Sequence, residues 1–262
     1  MEPYLSFEKS TIAPVALDYK QLLLFTTSEE EMDETGRAMS VTFEREVEVN
    51  HTGRTEDRYK FQVFLFDAAY TFSRTTEPYH TLYRKTSYVF DELVLWADPH
   101  GHLMEVHNLP FVQYRWETIR EELILEFEGD VFEEHVAFMD DILADEPKLL
   151  QYLSTPSMYG LYFNGCWGSY KNGESSDRNV TYGKELQNIT VIEDVALQAI
   201  KNTRLVKLAV AAKEKSDQFC SYLGNYTYLD NILDQANKIV GLNPNKTIKY
   251  SAKWVGLKSI IP

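Results

Sequence analysis

From residue 39 the chain alternates. Met39, Val41, Phe43, Val47 and Val49 are separated by Ser40, Thr42, Glu44, Glu46 and Glu48. A period of two places one set on each face of a strand, one face buried and the other solvated. Arg45 is the single charged residue on the apolar side. YKFQVFLF, residues 59–66, repeats the pattern with Tyr59, Phe61, Val63 and Leu65 on one face, after a polar turn HTGRTED. VALDYKQLLLF (15–25) predicts a strand ahead of both, and SEEEMDETG (28–36) reads as a solvated connection, with an acidic docking loop as its alternative. Together these segments predict an antiparallel meander. PYHTLYRKTSYVF (78–90) fits a short helix and an extended stretch equally well.

The pattern then changes. Leu93 to Trp96 reads as a strand, and Asp98-Pro99-His100-Gly101 carries the turn residues in their usual places. Residues 102–107 return as a second strand, and Asn108 is placed to cap a helix with Pro110 in its first turn. Val112, Trp116, Ile119 and Leu123 then recur at helical spacing. Gly129 separates this helix from the next, which starts at Asp130 and carries Phe132, Val136, Met139 and Leu143 as its apolar stripe. KLLQYL adds a short helical piece after Pro147. From residue 158 the chain reads as strands again: YGLYF, NITVIEDV, TRLVKLAVAAK, FCSYLGNYTYL and TIKYSAKWVGL. NILDQANKIVGLNP, between the last two, fits a short helix ended by Gly241 and Pro244.

Strands, then a helical pair, then strands predict an α+β fold. Its form is a curved antiparallel sheet built from N- and C-terminal strands, with a central amphipathic helical hairpin packed on one face. The expected layout is one domain over 1–262: strands over about 15–72, a hairpin over 92–107, helices over 109–153 and strands over 158–258. A split near 155 is the alternative.

Charge narrows the partners. Forty acidic and 26 basic side chains give −14, which repels nucleic acid and anionic lipid; such a surface keeps a chain soluble before anything else, and steers toward a basic protein partner second. The first residues lack the cationic start and apolar stretch of a secretory signal, and no apolar run approaches a membrane span. Cys166 and Cys220, 54 positions apart, form neither a disulfide framework nor a zinc motif. A cytoplasmic protein is expected. The Asn-x-Thr triplets at Asn50, Asn179, Asn188, Asn225 and Asn245 then read as turn and strand composition.

Chemistry is thin. His100, His102 and His107 lie close in sequence, but on a regular strand His102 and His107 point to opposite faces. His100 and His102 remain as a polar pair that needs a third ligand from elsewhere to hold a metal. Cys166, in a glycine-flanked loop, becomes a nucleophile only beside a base or a cation. No metal or cofactor is expected. The positive signal is aromatic: 17 Tyr, 14 Phe and 4 Trp. Tyr222, Tyr226 and Tyr228 share a strand face, and with Trp167 they are candidates for a ligand or partner surface. β-Propensity accounts for the same residues as sheet packing.

These observations predict a non-catalytic protein-binding or assembly subunit with an acidic surface, its partner another protein or a second copy of the chain. One alternative is a carrier of an apolar ligand in a cavity between sheet and helices, with Phe61, Val63, Trp116 and Trp254 as its lining. The other is a hydrolase using Cys166 or a histidine.

Overall fold

The computed structural model describes residues 9–33, 35–73, 77–183, 186, 188–198, 204–213, 219–243 and 245–256. Most of them lie in antiparallel β-structure. The N-terminal strands are β1 (Lys9–Ile12), β2 (Lys20–Met32), β3 (Ala38–Arg54), β4 (Tyr59–Phe72), β5 (Glu92–Ala97) and β6 (Leu103–Val106). The C-terminal strands are β7 (Gly168–Lys171), β8 (Ser175–Thr181), β9 (Thr190–Gln198), β10 (Leu205–Ala212), β11 (Ser221–Leu229), β12 (Ile232–Asn243) and β13 (Lys246–Trp254). Between β4 and β5 lies α1 (Glu77–Ser87), followed by a 3-10 turn at Tyr88–Phe90; α2 (Leu109–Glu126), α3 (Asp130–Ala144) and α4 (Glu146–Leu153) follow β6.

Eleven strands make one sheet in the order β6-β5-β4-β3-β2-β13-β12-β11-β10-β9-β8. Its end strands do not pair with each other, so the sheet is not closed, and β1 and β7 pair separately. Strands from both sides of residue 155 therefore share a sheet, joined where β2 runs against β13. Among the described residues, no helix is long and apolar enough to cross a membrane.

The alternation read from sequence is realised in β3, where Arg45, Val47, Val49 and His51 are buried while Glu44 is exposed. Several boundaries differ from expectation. The acidic run 28–32 is strand, not connection: it completes β2, and Glu29, Glu30 and Glu31 face Lys246 and Lys249 of β13 as ion pairs. β3 extends through HTGR to Arg54, leaving only a tight turn before β4. β4 also continues past Phe66, because Glu46 pairs with Asp67 and Val47 with Leu65. Phe66 is thus an extra residue, a bulge that shifts the parity of the strand. Phe61, Val63 and Leu65 are buried before it, Ala68 after it, and Phe66 itself is exposed.

Two further corrections concern the C-terminal half. NILDQANKIVGLNP is not a helix but β12, paired with β11 and β13. YGLYF is not a strand: residues 154–163 form a buried series of turns, with Tyr159 N–H donating to Leu153 O and Gly160 N–H to Thr155 O. A Cβ on Gly160 would stand 2.0 Å from the Ser154 carbonyl oxygen, which is why this position carries none.

Side-chain hydrogen bonds connect the helices. Trp116 Nε1 donates to Asp140 at 2.7 Å and Gln113 to the Leu143 carbonyl at 2.7 Å, joining α2 to α3. Glu146 of α4 accepts the Val106 N–H of β6 at 2.8 Å. Asn108 precedes α2 without capping it; its side chain instead accepts from Val94 N–H and donates to the Glu92 carbonyl, fastening the helix start to β5.

Candidate functional site

A partly open pocket of about 880 Å³ lies between β3, β4 and the helices. Its sheet wall is Val41, Phe43 and Arg45 from β3 with Leu65, Tyr70 and Phe72 from β4. The Phe66 bulge makes that wall. Without it, Tyr70 and Phe72 would point away from Leu65. Facing the sheet are Tyr83 and Thr86 of α1, His135, Phe138 and Met139 of α3, Tyr152 of α4 and the loop residue Tyr159. Phe43 and Tyr70 stack at 4.0 Å between centroids, and His135 Nε2 is 3.0 Å from the Thr86 hydroxyl. Burial pushes the Tyr70 and Tyr159 hydroxyls up from their ordinary pKa, so both stay neutral at any physiological pH.

Arg45 is the buried charge in this wall, only 3% exposed. Its guanidinium donates to the carbonyls of Ser157 (2.6 Å) and Met158 (2.7 Å) and to Met158 Sδ (3.3 Å). The rings of Phe25, Phe43 and Tyr159 surround it at 5.6, 4.8 and 5.1 Å. The Tyr159 hydroxyl, buried in the same wall, lies toward Arg45 and has no acceptor for its own proton.

A second polar cluster lies across the sheet, at β8, β9, β11 and β12. Glu193, fully buried, accepts from Arg178 at 2.7 Å and Lys238 at 2.6 Å, and from the Tyr222 hydroxyl. Arg178 also reaches the Asn164 carbonyl, Cys166 Sγ at 2.7 Å and the Tyr226 hydroxyl at 3.1 Å. Tyr182, a pocket-lining residue, bonds to the Tyr222 hydroxyl, so the cluster borders the pocket. Burial alone would push the Glu193 carboxyl up; Lys238 and Arg178 more than offset it and hold the pKa at about 2, from an ordinary 4.5.

That depression has a stability consequence. Because the folded pKa is the lower one, its contribution is complete above pH 4.5 and is lost as pH falls through about 2. At about 1.4 kcal/mol per unit, the span is worth roughly 3 kcal/mol. Urea unfolding at pH 5 and pH 3 should show the midpoint falling, with a flatter acid limb in Glu193→Gln. An equal fall in that variant would assign the effect to other carboxylates.

No family model and no curated protein matches this sequence. A solved structure described as "Lipid-protein interactions in lipovitellin" is similar at 12% identity and a TM-score of 0.47. The alignment covers 92% of this chain and 25% of that one, so the chain spans about a quarter of that protein's length. At that level the likeness carries no functional argument.

The residues singled out from sequence fall in several places. Tyr222, Tyr226 and Tyr228 do share a face, but it is the buried one: they are 9%, 0% and 2% exposed, and their hydroxyls serve the Glu193 cluster and Asn164. Trp167 is buried too, 5.7 Å from the Phe61 ring, with the turn glycine Gly101 against its face. An outer partner surface is therefore not where these four side chains sit.

His100 and His102 stay at the turn. Asp98 Oδ1 accepts the backbone N–H of both, and Asp98 Oδ2 lies 3.1 Å from His102 Nδ1. Burial works to raise the Asp98 carboxyl, but these bonds lower it overall. His107 turns instead to Glu105. Among the described residues, no group of three or more His, Cys, Asp or Glu is placed to hold a metal. The turn acts as a dock: the His100 carbonyl accepts the Trp167 N–H at 3.0 Å. Cys166 lies away from the exposed loop setting that its flanking glycines suggest. It is fully buried, and burial pushes its thiol up despite Arg178 beside it, the opposite of activation.

Phe61, Val63 and Trp116 are solid core, and they and Trp254 lie outside the pocket wall. Of the charged residues that matter, sequence reasoning noted only Arg45. Glu193 carried the same signal, since it stands between Val191 and Val195 on the inward parity of β9.

Proposed function

We propose that this protein binds an apolar small molecule in the pocket between β3, β4 and the helices. The observation that supports it is the pocket itself: about 880 Å³, walled by Phe43, Leu65, Tyr70, Phe72, Phe138 and Met139. Ligand sites in proteins are concave, mostly apolar and about 300–1,000 Å³. In this reading the sheet curves around the ligand, and α1, α3 and α4 roof it. The charged side chains Glu134, Asp141 and Lys148 sit at the exposed rim, while Arg45 is the buried charge of the wall.

A neutral naphthylamine dye, fluorescent only in apolar surroundings, should bind the purified protein at one site. Val41→Trp, which fills the pocket from the sheet side, should weaken the dye at least about tenfold, as expected when a site loses its apolar contacts. Its circular dichroism should be unchanged. Dye that binds the native chain and Val41→Trp equally would refute the pocket as the site. No binding at all would leave the protein-partner reading, which draws on the exposed Phe111, Tyr114 and Leu125 of α2.

A further inference from the structure

We infer that the pocket selects an amphipathic ligand with an anionic head group, which pairs with Arg45. The inference rests on the binding reading above and gives that site its ligand class. Its ground is a charge without a counter-charge. Arg45 is buried in the pocket wall, and among the described residues no carboxylate forms an ion pair with it. The chain has 40 acidic side chains, and at the other buried cations among the described residues it supplies one: Arg178 and Lys238 share Glu193. Two carbonyls, a thioether and three ring faces hold Arg45 in place. They orient the cation without neutralising it, and a buried charge is stabilised most by an ion that also accepts its hydrogen bonds.

Donors are to spare. A guanidinium carries more N–H groups than those three bonds use. The Tyr159 hydroxyl beside it is buried and lies toward Arg45, with no acceptor for its own proton. A carboxylate or phosphate entering the pocket accepts from both groups, and charge-assisted bonds of this kind are the strong ones. The rest of the wall, Phe43, Tyr70, Phe72, Phe138 and Met139, takes the alkyl part. Of the wall's other charged residues, Glu134, Asp141 and Lys148 are exposed, and Asp141 and Lys148 pair with each other, so they leave Arg45 as the buried ion.

The test is displacement of the neutral dye by hexadecanoic acid, hexadecyl phosphate and hexadecanol at pH 8. On the native chain an anionic ligand should compete at least about tenfold better than the alcohol, the usual worth of a hydrogen bond to a charged group. The acid and phosphate arms show which head group is preferred. Arg45→Met should bring acid, phosphate and alcohol together, each read as a ratio to the dye's affinity for that same variant, and Tyr159→Phe should remove part of the preference. Tyr159→Phe carries the test if Arg45→Met does not fold. An Arg45 that only latches the 157–158 carbonyls would leave acid, phosphate and alcohol equal on the native chain, and that result overturns the inference while the pocket stands. If neither dye nor any alkyl ligand binds, the binding reading itself fails.

Discussion

Glu193→Ala is expected to destabilise the protein by about 3–5 kcal/mol, the usual cost of breaking a buried ion pair. Removing the carboxylate leaves Arg178 and Lys238 buried together, with like charges and no anion between them. For a chain of this size that should appear as a fall of roughly 6–20 °C in Tm. The mechanism is checked by the double variant Glu193→Ala/Lys238→Met. It removes one of the stranded cations and should be more stable than Glu193→Ala alone, since contacting residues are not additive. A loss below about 1 kcal/mol, or a double variant less stable than the single, would mean that water reaches the cluster and screens it.

Phe61→Ala should cost about 3–5 kcal/mol, the range for emptying a buried aromatic site. Phe61 is fully buried at the point where β4 meets the turns of residues 154–167. Its ring lies 5.2 Å from Phe163, 5.7 Å from Trp167 and 5.0 Å from His51. Because Trp167 loses a neighbour, its fluorescence should shift to longer wavelength while helix content is kept. Phe66→Ala is the comparison. That ring, five positions on, is 51% exposed and should change stability by about 0.5 kcal/mol or less. If the two variants lose the same stability, the Phe66 ring is packed and not exposed, and its place in the strand is wrong.

The contrast between those two phenylalanines marks how far the sequence could be read. β3 and the first half of β4 follow an unbroken period of two, and α2 and α3 an unbroken helical spacing, so their buried faces were legible. Bulges hid the rest. In β12, Tyr228 pairs with Leu233 and Thr227 with Gln235, leaving Asp234 over. Leu233, Ala236 and Val240 are therefore buried at spacings of three and four, which imitates a helix. A lysine on the inward face completes the disguise, because Lys238 is apolar in nothing but position. YGLYF misleads differently. It is apolar enough for a strand, but Gly160 lets the backbone fold onto Ser154. The pocket could not be read at all, since its wall combines residues on either side of a parity break with the neighbouring α1 and with α3 and α4 far along the chain. Arg45 alone announced itself.

The seam between β2 and β13 sets the order in which the molecule can assemble. Its ion pair between Lys249 and Glu30 spans 219 positions, so the strand that follows β1 waits for the last of the described strands. Contacts of such long range are slow to form, and until they do β2 presents an open hydrogen-bonding edge to every other nascent chain. Its far end carries Glu29, Glu30 and Glu31, which repel the same segment on a second copy and which Lys246 and Lys249 pair with in the folded chain. The acidic run is thus a gatekeeper against strand exchange between chains, lifted by the arrival of its own C-terminal strand.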